Sequence, residues 1–391
     1  MAKVCGVIAE YDPFHNGHAL HLKKARDATG ADFVVVLMSG YVTQRGHFAL
    51  FDPADRARMA LECGADIVFS VPFDISCRDA ESYALGMVSL FHRMGCVDCL
   101  SFGSEYGDTE LLLRIADSLE SPETQILLGQ QIHSGLSYPR AVEKVLDIQG
   151  LAGPGIISSP NVILAVSYIR ALKRLSSPIR CYPVQREGDY HSLTLSPTHP
   201  SAFSLRRAFL LGGPESIRPC VPASVFEQLQ EIWRSGSFMD EKKADLLLIG
   251  SLLKASPNDL RRVSGAGEGI ENHILKEAGA CLSLEQLTER ACTTHFTRAR
   301  LSRLLMRFFL DKARLSPQED AFLYLRGFRS EASPLIKLIS EKIPCYQTFA
   351  SLEKSGVAGE ECFAAKCWNL CAGRPSSLLY SRGVIRSGAP G

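Results

Sequence analysis

No stretch of this sequence is apolar enough to cross a membrane, since a spanning helix needs about 18 consecutive apolar residues. The N-terminus also lacks the basic segment and long apolar segment of a secretion signal. Net charge is nearly absent, because 43 Lys and Arg balance 42 Asp and Glu to leave +1. A general attraction for polyanions is therefore excluded, and any nucleic-acid contact must come from a local patch. We expect a cytoplasmic protein without membrane association.

The sequence also lacks an ordered cysteine framework, although it contains 13 cysteines. They are scattered and odd in number, which in a chain without a secretion signal favours reduced, buried thiols. Cys96 and Cys99 form a lone C-x-x-C pair. The later Cys362, Cys367 and Cys371 do not complete a zinc ribbon or finger with it. We therefore predict that the side chains of this protein do not hold a structural metal ion.

Strand and helix patterns alternate through the first half of the 391 residues. Short β-branched runs predict strands buried on both faces of a parallel sheet, and helical patterns separate them. Strict alternation is typical of right-handed βαβ units in an α/β, doubly wound sheet of the Rossmann-like kind. The predicted strands are residues 4–9, 33–38, 66–71, 99–102 and 179–184, and the predicted helices are 19–28, 56–64, 79–94 and 162–175.

The second half reads differently, because strand patterns almost disappear after Gly212 and Gly213. A helix is predicted over residues 203–211 before that point, and further helices over 246–253, 284–290, 299–310 and 321–325. The length suits two domains. We place the first at residues 1–212 and a mainly α-helical second one at 213–391.

Ligands of doubly wound sheets bind beyond the carboxyl ends of the strands, which directs attention to the segment after the first strand. There His15 and His18 stand three residues apart at the mouth of a predicted helix, and Gly17 between them permits the close approach of a phosphate. Imidazoles at a helix N-terminus can donate hydrogen bonds to phosphate oxygens that the free N–H groups already attract. We predict a nucleotide triphosphate site with both histidines catalytic. His21 adds a third imidazole, so metal binding and a purely structural role stay open as alternatives.

A second phosphate-binding segment is predicted where Ser201, Ser204 and Arg206 open a helix after a Pro-containing loop. Its alternative is an N-cap with a solvated arginine. Arg45, after the second strand, could likewise meet a phosphate or lie on the surface.

Basic residues concentrate in the second half around the predicted helix 299–310. They face only Asp311 over the same span, and Arg303 and Arg307 share one helix face. Such a cluster is either a solvated face or a patch for nucleic-acid phosphates. The candidate contacts are Arg298, Arg300, Arg303 and Arg307, with Lys312 and Arg314 close by.

Taken together, these motifs resemble the bacterial tRNA(Met) cytidine acetate ligase family, within the HIGH-type nucleotidyltransferase superfamily. The likeness is densest in segments 10–18, 38–40, 44–46, 64–66 and 101–105, and weaker matches continue to residue 300. It implies a HUP-type nucleotidyltransferase sheet followed by a helical, tRNA-binding domain. The ATP contacts that it implies are Ile8, Ala9, Glu10, Tyr11, Asp12, Pro13, Phe14, His15, Asn16, Gly17, His18, Ala19, Leu20, His21, Gly103, Asn161, Arg186 and Glu187.

The resemblance also implies the reaction. Acetate attacks the α-phosphate of ATP to give acetyl-adenylate and pyrophosphate, and the N4 amine of the wobble cytidine in elongator methionine tRNA then takes the acetyl group. Acetate is already an anion at neutral pH, so the first step needs charge stabilisation rather than a base. Mg²⁺ is expected to bridge the phosphates. Oligomeric state is not indicated by any of these motifs.

The chain departs from the family pattern at several positions. Asp12 replaces an Asn, Pro53 a Lys, and Phe203 a Thr. Ser70-Val71-Pro72 lacks the Glu that usually precedes this Pro, and residues 292–297 lose the cations of a basic stretch. These departures leave two alternatives, an adenylyltransferase acting on a small acid or phosphate, and a nucleotide-dependent RNA-binding protein without catalysis.

Overall fold

The short apolar segments of the first half form a parallel sheet in the computed structural model, which describes residues 2–151, 159–185, 201–311 and 321–388. Its order is β5-β4-β1-β2-β3-β6-β7, with β8 beside β6, and among the strand pairs within these ranges only β3–β6 is antiparallel. The strands are β1 (Val4–Ala9), β2 (Phe33–Ser39), β3 (Ile67–Val71), β4 (Cys99–Ser104), β5 (Arg180–Gln185), β6 (Leu323–Arg329), β7 (Cys345–Tyr346) and β8 (Ile385–Ser387). The α/β fold with helices on both faces is confirmed.

Helices connect the strands and cover the sheet. In the first half they are α1 (Asn16–Thr29), α2 (Pro53–Glu62), α3 (Phe73–Ser76), α4 (Ala80–Met94), α5 (Thr109–Glu120), α6 (Pro122–His133), α7 (Tyr138–Ile148) and α8 (Pro160–Arg174). The next helices are α9 (Ala202–Gly212), α10 (Ala223–Ser235), α11 (Glu241–Leu253), α12 (Pro257–Arg261), α13 (Ile270–Ala278), α14 (Leu284–Ala291) and α15 (Arg298–Phe309). The last are α16 (Ser333–Ser340), α17 (Phe349–Lys354), α18 (Gly359–Cys371) and α19 (Leu378–Ser381).

Apolar side chains fill both faces of the sheet, and their burial supplies most of the driving force for folding. Trp368 and Phe51 belong to one layer, and Phe91 and Leu100 to the other. Packing is tight in the second layer, since a Cβ on Gly6 in β1 would lie 2.9 Å from the Phe91 ring. A third cluster lies entirely within α11 to α15 and the segments between them, around Leu260, Leu287 and Leu301.

The C-terminal residues return to the sheet, which corrects one prediction. Residues 321–325 were predicted to be helical, but Leu323–Arg329 is strand β6, antiparallel to β3. Arg326 explains the placement, because its Nε donates to Ser70 Oγ at 2.7 Å and its guanidinium stacks on Tyr324 at 3.8 Å. The division at residues 212 and 213 stays a prediction. None of the helices in the described ranges has the length and apolarity needed to span a bilayer.

A buried carboxylate fastens the C-terminal tail to α2. Asp52 is fully buried and caps α2 by accepting from the Ala54 N–H at 2.9 Å. Its other oxygen pairs with the guanidinium groups of Arg374, at 3.7 Å, and Arg382. Both arginines come from the end of the described chain, so this ion cluster ties the tail to the first half.

A second buried carboxylate, Glu361 on α18, reaches the carboxyl edge of the sheet. Its Oε2 accepts from the Phe73 N–H at 3.1 Å, and its Oε1 lies against Gly40, where no Cβ would fit. Burial raises the pKa of Glu361 to about 7, although the positive charge of Arg326 and nearby backbone N–H groups act in the opposite direction. Glu361 therefore keeps its proton at pH values where an exposed carboxyl has lost it.

We expect Glu361→Gln to flatten the pH dependence of stability between pH 4.5 and about 7. In the wild type the unfolded chain ionises near 4.5 and the folded chain only near 7, so the free energy of unfolding falls as pH rises through this window. The variant has no such proton to lose. Denaturant unfolding across the window measures the difference, with substitution of the exposed Glu341 as control. Equal pH slopes for the Glu361 variant and wild type would contradict this account.

Candidate nucleotide site

A cavity of about 360 Å³ opens at the carboxyl edge of the sheet, where doubly wound folds bind their ligands. Its walls come from the ends of β1, β4 and β5 and from the first turns of α1, α8 and α9. The alternation of strand and helix patterns in the sequence predicted this location. Of the predicted ATP contacts, those lining the cavity are Ile8, Ala9, Glu10, Tyr11, Asp12, His15, Gly17, His18, Leu20, His21, Gly103 and Asn161.

The two predicted catalytic histidines stack on one another at the start of α1. Their ring centroids are 3.6 Å apart with planes inclined by 20°. The backbone N–H of His15 donates to Nδ1 of His18 at 3.3 Å. This assigns the proton of a neutral His18 to Nε2, which makes that atom a donor. A donor imidazole beside a helix N-terminus can stabilise charge on a phosphate.

Gly17 has a role in this stack that the sequence did not reveal. A Cβ at position 17 would lie 3.0 Å from His15 Cε1 and 3.1 Å from His15 Nδ1. The sequence suggested that Gly17 lets a phosphate approach the backbone. In the structure its missing side chain also leaves room for the His15 ring.

The rings of Tyr11 and Phe14 pack against the His18 ring. The Tyr11 ring lies 4.9 Å from that of His18 and 4.8 Å from that of Phe14, and both Tyr11 and Phe14 are buried. Burial raises the pKa of Tyr11 well above its ordinary value. Tyr11 adopts a φ of 54°, and the Asp12–Pro13 peptide that follows is cis. Tyr11, Pro13 and Phe14 thus shape the turn that brings His15 and His18 to the helix start.

Asp12 explains one departure from the family pattern. Its side chain is buried, and its two oxygens accept from the backbone N–H groups of Leu50 at 3.0 Å and Phe51 at 3.1 Å. A carboxylate offers an acceptor to each of these donors, whereas an amide offers only one oxygen. Arg206 donates to the Asp12 carbonyl at 2.8 Å and lies 3.8 Å from its carboxylate. Asp12 therefore joins the loop after β1 to α9 and to the segment before α2.

Arg56 helps to form the site, although its sequence context predicts only a helix. It is fully buried, and its guanidinium donates to the carbonyls of Glu10 at 2.6 Å, Phe51 at 3.0 Å and Gly40. Glu10 follows β1 and Gly40 follows β2. One side chain on α2 therefore fixes the loops at the ends of two strands. No local sequence pattern predicts this role, because Glu10 and Gly40 are 46 and 16 residues away from Arg56 in the sequence.

The far wall of the cavity is also cross-linked. His21 Nε2 lies 3.1 Å from Ser101 Oγ on β4, and Asn161 Nδ2 donates to Glu105 Oε1 at 2.6 Å. Gly103 pairs with Val184 on β5. Asn16 donates to the Pro219 carbonyl at 3.0 Å, and Ala19 and Leu20 continue α1. Arg186 and Glu187 lie outside the described residues.

The predicted phosphate segment at the start of α9 is partly a helix cap. Ser201 Oγ accepts from the Ser204 N–H at 3.1 Å, and the two hydroxyls are 2.8 Å apart. Ser201 and Arg206 line the cavity, whereas Ser204 is buried behind them. Ser201 therefore caps the helix, as the alternative expected, and Arg206 faces the cavity; phosphate binding by this segment stays a prediction.

Helix α15, which carries the basic cluster, packs against a loop that borders the cavity. Gly46 has a φ of 80°, and a Cβ there would lie 2.6 Å from the backbone N of Arg303. Because Gln44 and Arg45 line the cavity, residues 44–46 form a bridge between the nucleotide site and α15. We call residues 44–46 the bridging loop.

The arginines of α15 differ in exposure, and one prediction needs correction. Arg307 is buried, and it donates to the carbonyls of Cys77 at 2.6 Å and Ser264 at 3.3 Å, so it joins parts of the fold rather than presenting a surface charge. Arg298 is exposed beside Glu289 at 2.7 Å. Arg300 stacks 3.9 Å from the Phe296 ring, and Arg303 is half-buried. Lys312 and Arg314 lie outside the described residues.

The fold and the paired histidines define a nucleotidyltransferase of the HIGH type, and the family model HIGH Nucleotidyl Transferase matches residues 2–376. A tRNA(Met) cytidine acetate ligase from Acetivibrio thermocellus is 35% identical over 358 residues, which cover 87% of this chain and 86% of that protein. The Clostridium perfringens protein of the same name is 32% identical, with coverages of 86% and 87%. The chain belongs to the tRNA(Met) cytidine acetate ligase family.

Solved structures agree with this assignment. A crystal structure of Thermotoga maritima TmcAL bound with alpha-thio ATP matches with a TM-score of 0.83 and 25% identity, and the match covers 99% of this chain and 100% of that one. The apo form of the same protein matches with a TM-score of 0.87 at 24% identity and the same coverage, which bears on the fold alone.

We expect Arg56→Lys to lower the free energy of unfolding by about 2–4 kcal/mol, since an ammonium group cannot donate along the fixed directions that three carbonyls require. Acetate-dependent exchange between ATP and pyrophosphate should fall as well, because the loops of the site lose their common support. Chemical denaturation and the exchange assay measure the two effects.

Arg58→Lys is the matched control, since Arg58 is exposed on the same helix. Its effect should stay within about 0.5 kcal/mol, as for most surface substitutions. Similar stabilities for the Arg56 and Arg58 variants would show that the buried guanidinium does not hold the loops.

Proposed function

We propose that this chain is an ATP-dependent ligase that activates acetate as acetyl-adenylate and then acetylates N4 of the wobble cytidine in elongator methionine tRNA. Family membership supports the activity class, and the names of the curated relatives support the tRNA substrate. The observation that carries the proposal is the stacked His15–His18 pair at the mouth of α1, inside a cavity of nucleotide size. We infer a cytoplasmic site of action, where tRNA is present.

In the first step a carboxylate oxygen of acetate attacks the α-phosphorus, and pyrophosphate leaves. Both the pentavalent centre and the leaving group are strongly anionic. The Nε2–H of His18 and the N-terminus of α1 provide donors for this charge, and Arg206 adds a cation from α9. Mg²⁺ would accompany the nucleotide, since it usually binds through substrate phosphates.

In this proposal ATP occupies the cavity with its base toward β4 and α8. Gly103 and Asn161 lie there, and Gly103 leaves the strand end open to a planar ring. The phosphates then extend toward His15, His18 and Arg206. The alpha-thio ATP bound by the Thermotoga protein supports a nucleotide in this fold.

The tRNA would approach from the side of α15, which we propose belongs to a helical tRNA-binding domain within residues 213–391. The bridging loop brings this helix against the nucleotide site. Arg298, Arg300 and Arg303 are its candidate phosphate contacts. A tRNA held by them would have its anticodon loop near the acetyl-adenylate.

The decisive experiment incubates the protein with ATP, acetate and unmodified methionine tRNA and analyses the digested tRNA for N4-acetylcytidine by mass spectrometry. We expect the modified nucleoside together with acetate-dependent exchange of pyrophosphate into ATP. Exchange without modified tRNA would instead favour an adenylyltransferase for a small acid. ATP binding without either reaction would favour a non-catalytic protein.

His18→Ala should reduce the acetate-dependent exchange rate about 100-fold or more, because the transition state loses a preorganised donor. His92→Ala is the matched control, since His92 lies at the C-terminal end of α4 and contacts Ser177 at 3.1 Å, away from the cavity. Circular dichroism checks that both variants fold. An exchange rate in the His18 variant equal to that of the control would reduce this imidazole to a structural role.

Arg303→Ala should weaken tRNA binding and lower the slope of log affinity against log salt by about 1, as for the loss of one phosphate contact. Binding titrations at several salt concentrations measure the slope. Arg234→Ala, at an exposed arginine of α10, is the control. A slope unchanged from that of the control would remove Arg303 from the tRNA interface.

A further inference from the structure

Glu10 is a carboxylate of the nucleotide cavity for which the first reaction step has no use. It follows the last residue of β1 and lines the cavity together with Tyr83 and Tyr168. Acetate is already ionised when it attacks ATP, so no base is needed there. The second step differs, because the N4 amine of cytidine must lose a proton as it becomes an amide. A base for this proton is still unaccounted for.

Two contacts hold Glu10 in place while leaving half of its carboxylate available. Oε1 accepts from the Gln44 N–H at 2.7 Å, and the backbone carbonyl accepts from Arg56 at 2.6 Å. Among the residues that the structure describes, none donates a hydrogen bond to Oε2. One oxygen is therefore anchored, and the other can serve a ligand.

The surroundings of Glu10 suit proton transfer. Burial raises the pKa of Glu10, and the Gln44 N–H and the charge of Arg206 act in the opposite direction. Burial, together with the nearby Glu10 charge, also raises the pKa of Tyr168. A carboxylate that is easier to protonate than an exposed one is a better acceptor for an amine proton. Tyr83 and Tyr168 provide an aromatic wall beside it for a planar base.

We propose that Glu10 is the catalytic base of acetyl transfer, an assignment that rests on the proposed function. The N4 nitrogen attacks the carbonyl carbon of acetyl-adenylate and forms the C–N bond. The bond from that carbon to the phosphate oxygen breaks, and AMP leaves with the electron pair. The proton of N4 passes to Glu10 Oε2 and then to solvent, so atoms and charge balance.

The bridging loop gives this assignment a further consequence. Gln44, which anchors Glu10, precedes Gly46, which packs on α15. The carboxylate is thus connected through three consecutive residues to the helix that we propose for tRNA contact. A base for the tRNA-dependent step is expected at this junction.

The test compares Glu10→Gln with wild type in three assays: acetate-dependent ATP–pyrophosphate exchange, formation of acetohydroxamate with hydroxylamine, and N4-acetylcytidine formation on tRNA. Hydroxylamine is a strong nucleophile that can capture acetyl-adenylate without a protein base. We expect tRNA acetylation to fall about 100-fold or more relative to exchange, while hydroxamate formation follows exchange.

Two further variants sharpen the result. Glu10→Asp keeps a carboxylate and should recover part of the tRNA acetylation. Glu105→Gln alters another carboxylate of the cavity, one that binds Asn161, and should change exchange and acetylation in the same proportion.

Equal acetylation by Glu10→Gln and wild type would overturn the assignment, as would a proportional loss of exchange and acetylation in both Glu10 variants. The latter result would place Glu10 in nucleotide or metal binding. Failure of the proposed function looks different, because wild type itself would then exchange pyrophosphate without acetylating tRNA.

Discussion

The nucleotide site depends above all on the buried guanidinium of Arg56. Its donors bind the carbonyls of Glu10, which follows β1, and of Gly40 and Phe51, which lie at the two ends of the segment between β2 and α2. Each of these carbonyls would otherwise be a buried acceptor without a donor, which is costly. Placing one planar, multidentate cation among them satisfies all three and sets their spacing. The position of Glu10 follows directly from that spacing, and the histidines follow the same loop at the start of α1.

The elements predictable from sequence are those set by local pattern. Strand β1, the turn after it and the start of α1 all lie within residues 4–18, where apolar periodicity and the histidine spacing are visible in a short window. Arg56 and Glu361 could not be recognised in this way, because their partners lie far along the chain, at separations of 46 residues for Arg56–Glu10 and 288 for Glu361–Phe73. Arg307 shows the opposite error. The sequence predicts one more surface cation of a basic cluster, yet Arg307 is buried and donates to the carbonyl of Cys77, which is 230 residues away.

Distant partners also explain why the segment of β6 was predicted to be a helix. Residues 321–325 are a short apolar run, and such runs are ambiguous between buried strand and buried helix. Two distant features favour the strand. Leu323–Arg329 pairs with the edge of β3 in antiparallel register, and Ser70 accepts a hydrogen bond from Arg326. Neither feature is visible near residue 321. Ser70 lies in the segment where the family usually carries a Glu. In this chain that segment makes its polar contact through Ser70, which accepts a hydrogen bond from Arg326.

The attachment of the tail has a consequence for biosynthesis. Glu361 supports Gly40 and Phe73, and Arg374 and Arg382 surround Asp52 at the start of α2. The edge of the sheet that carries the nucleotide site is thus completed by residues that lie far along the chain from its first strands. Contacts of such long sequence separation close late in folding. A ribosome-bound chain would contain its first strands and histidines long before these contacts could fix them, so the nucleotide site becomes rigid only after the residues up to Arg382 have been made.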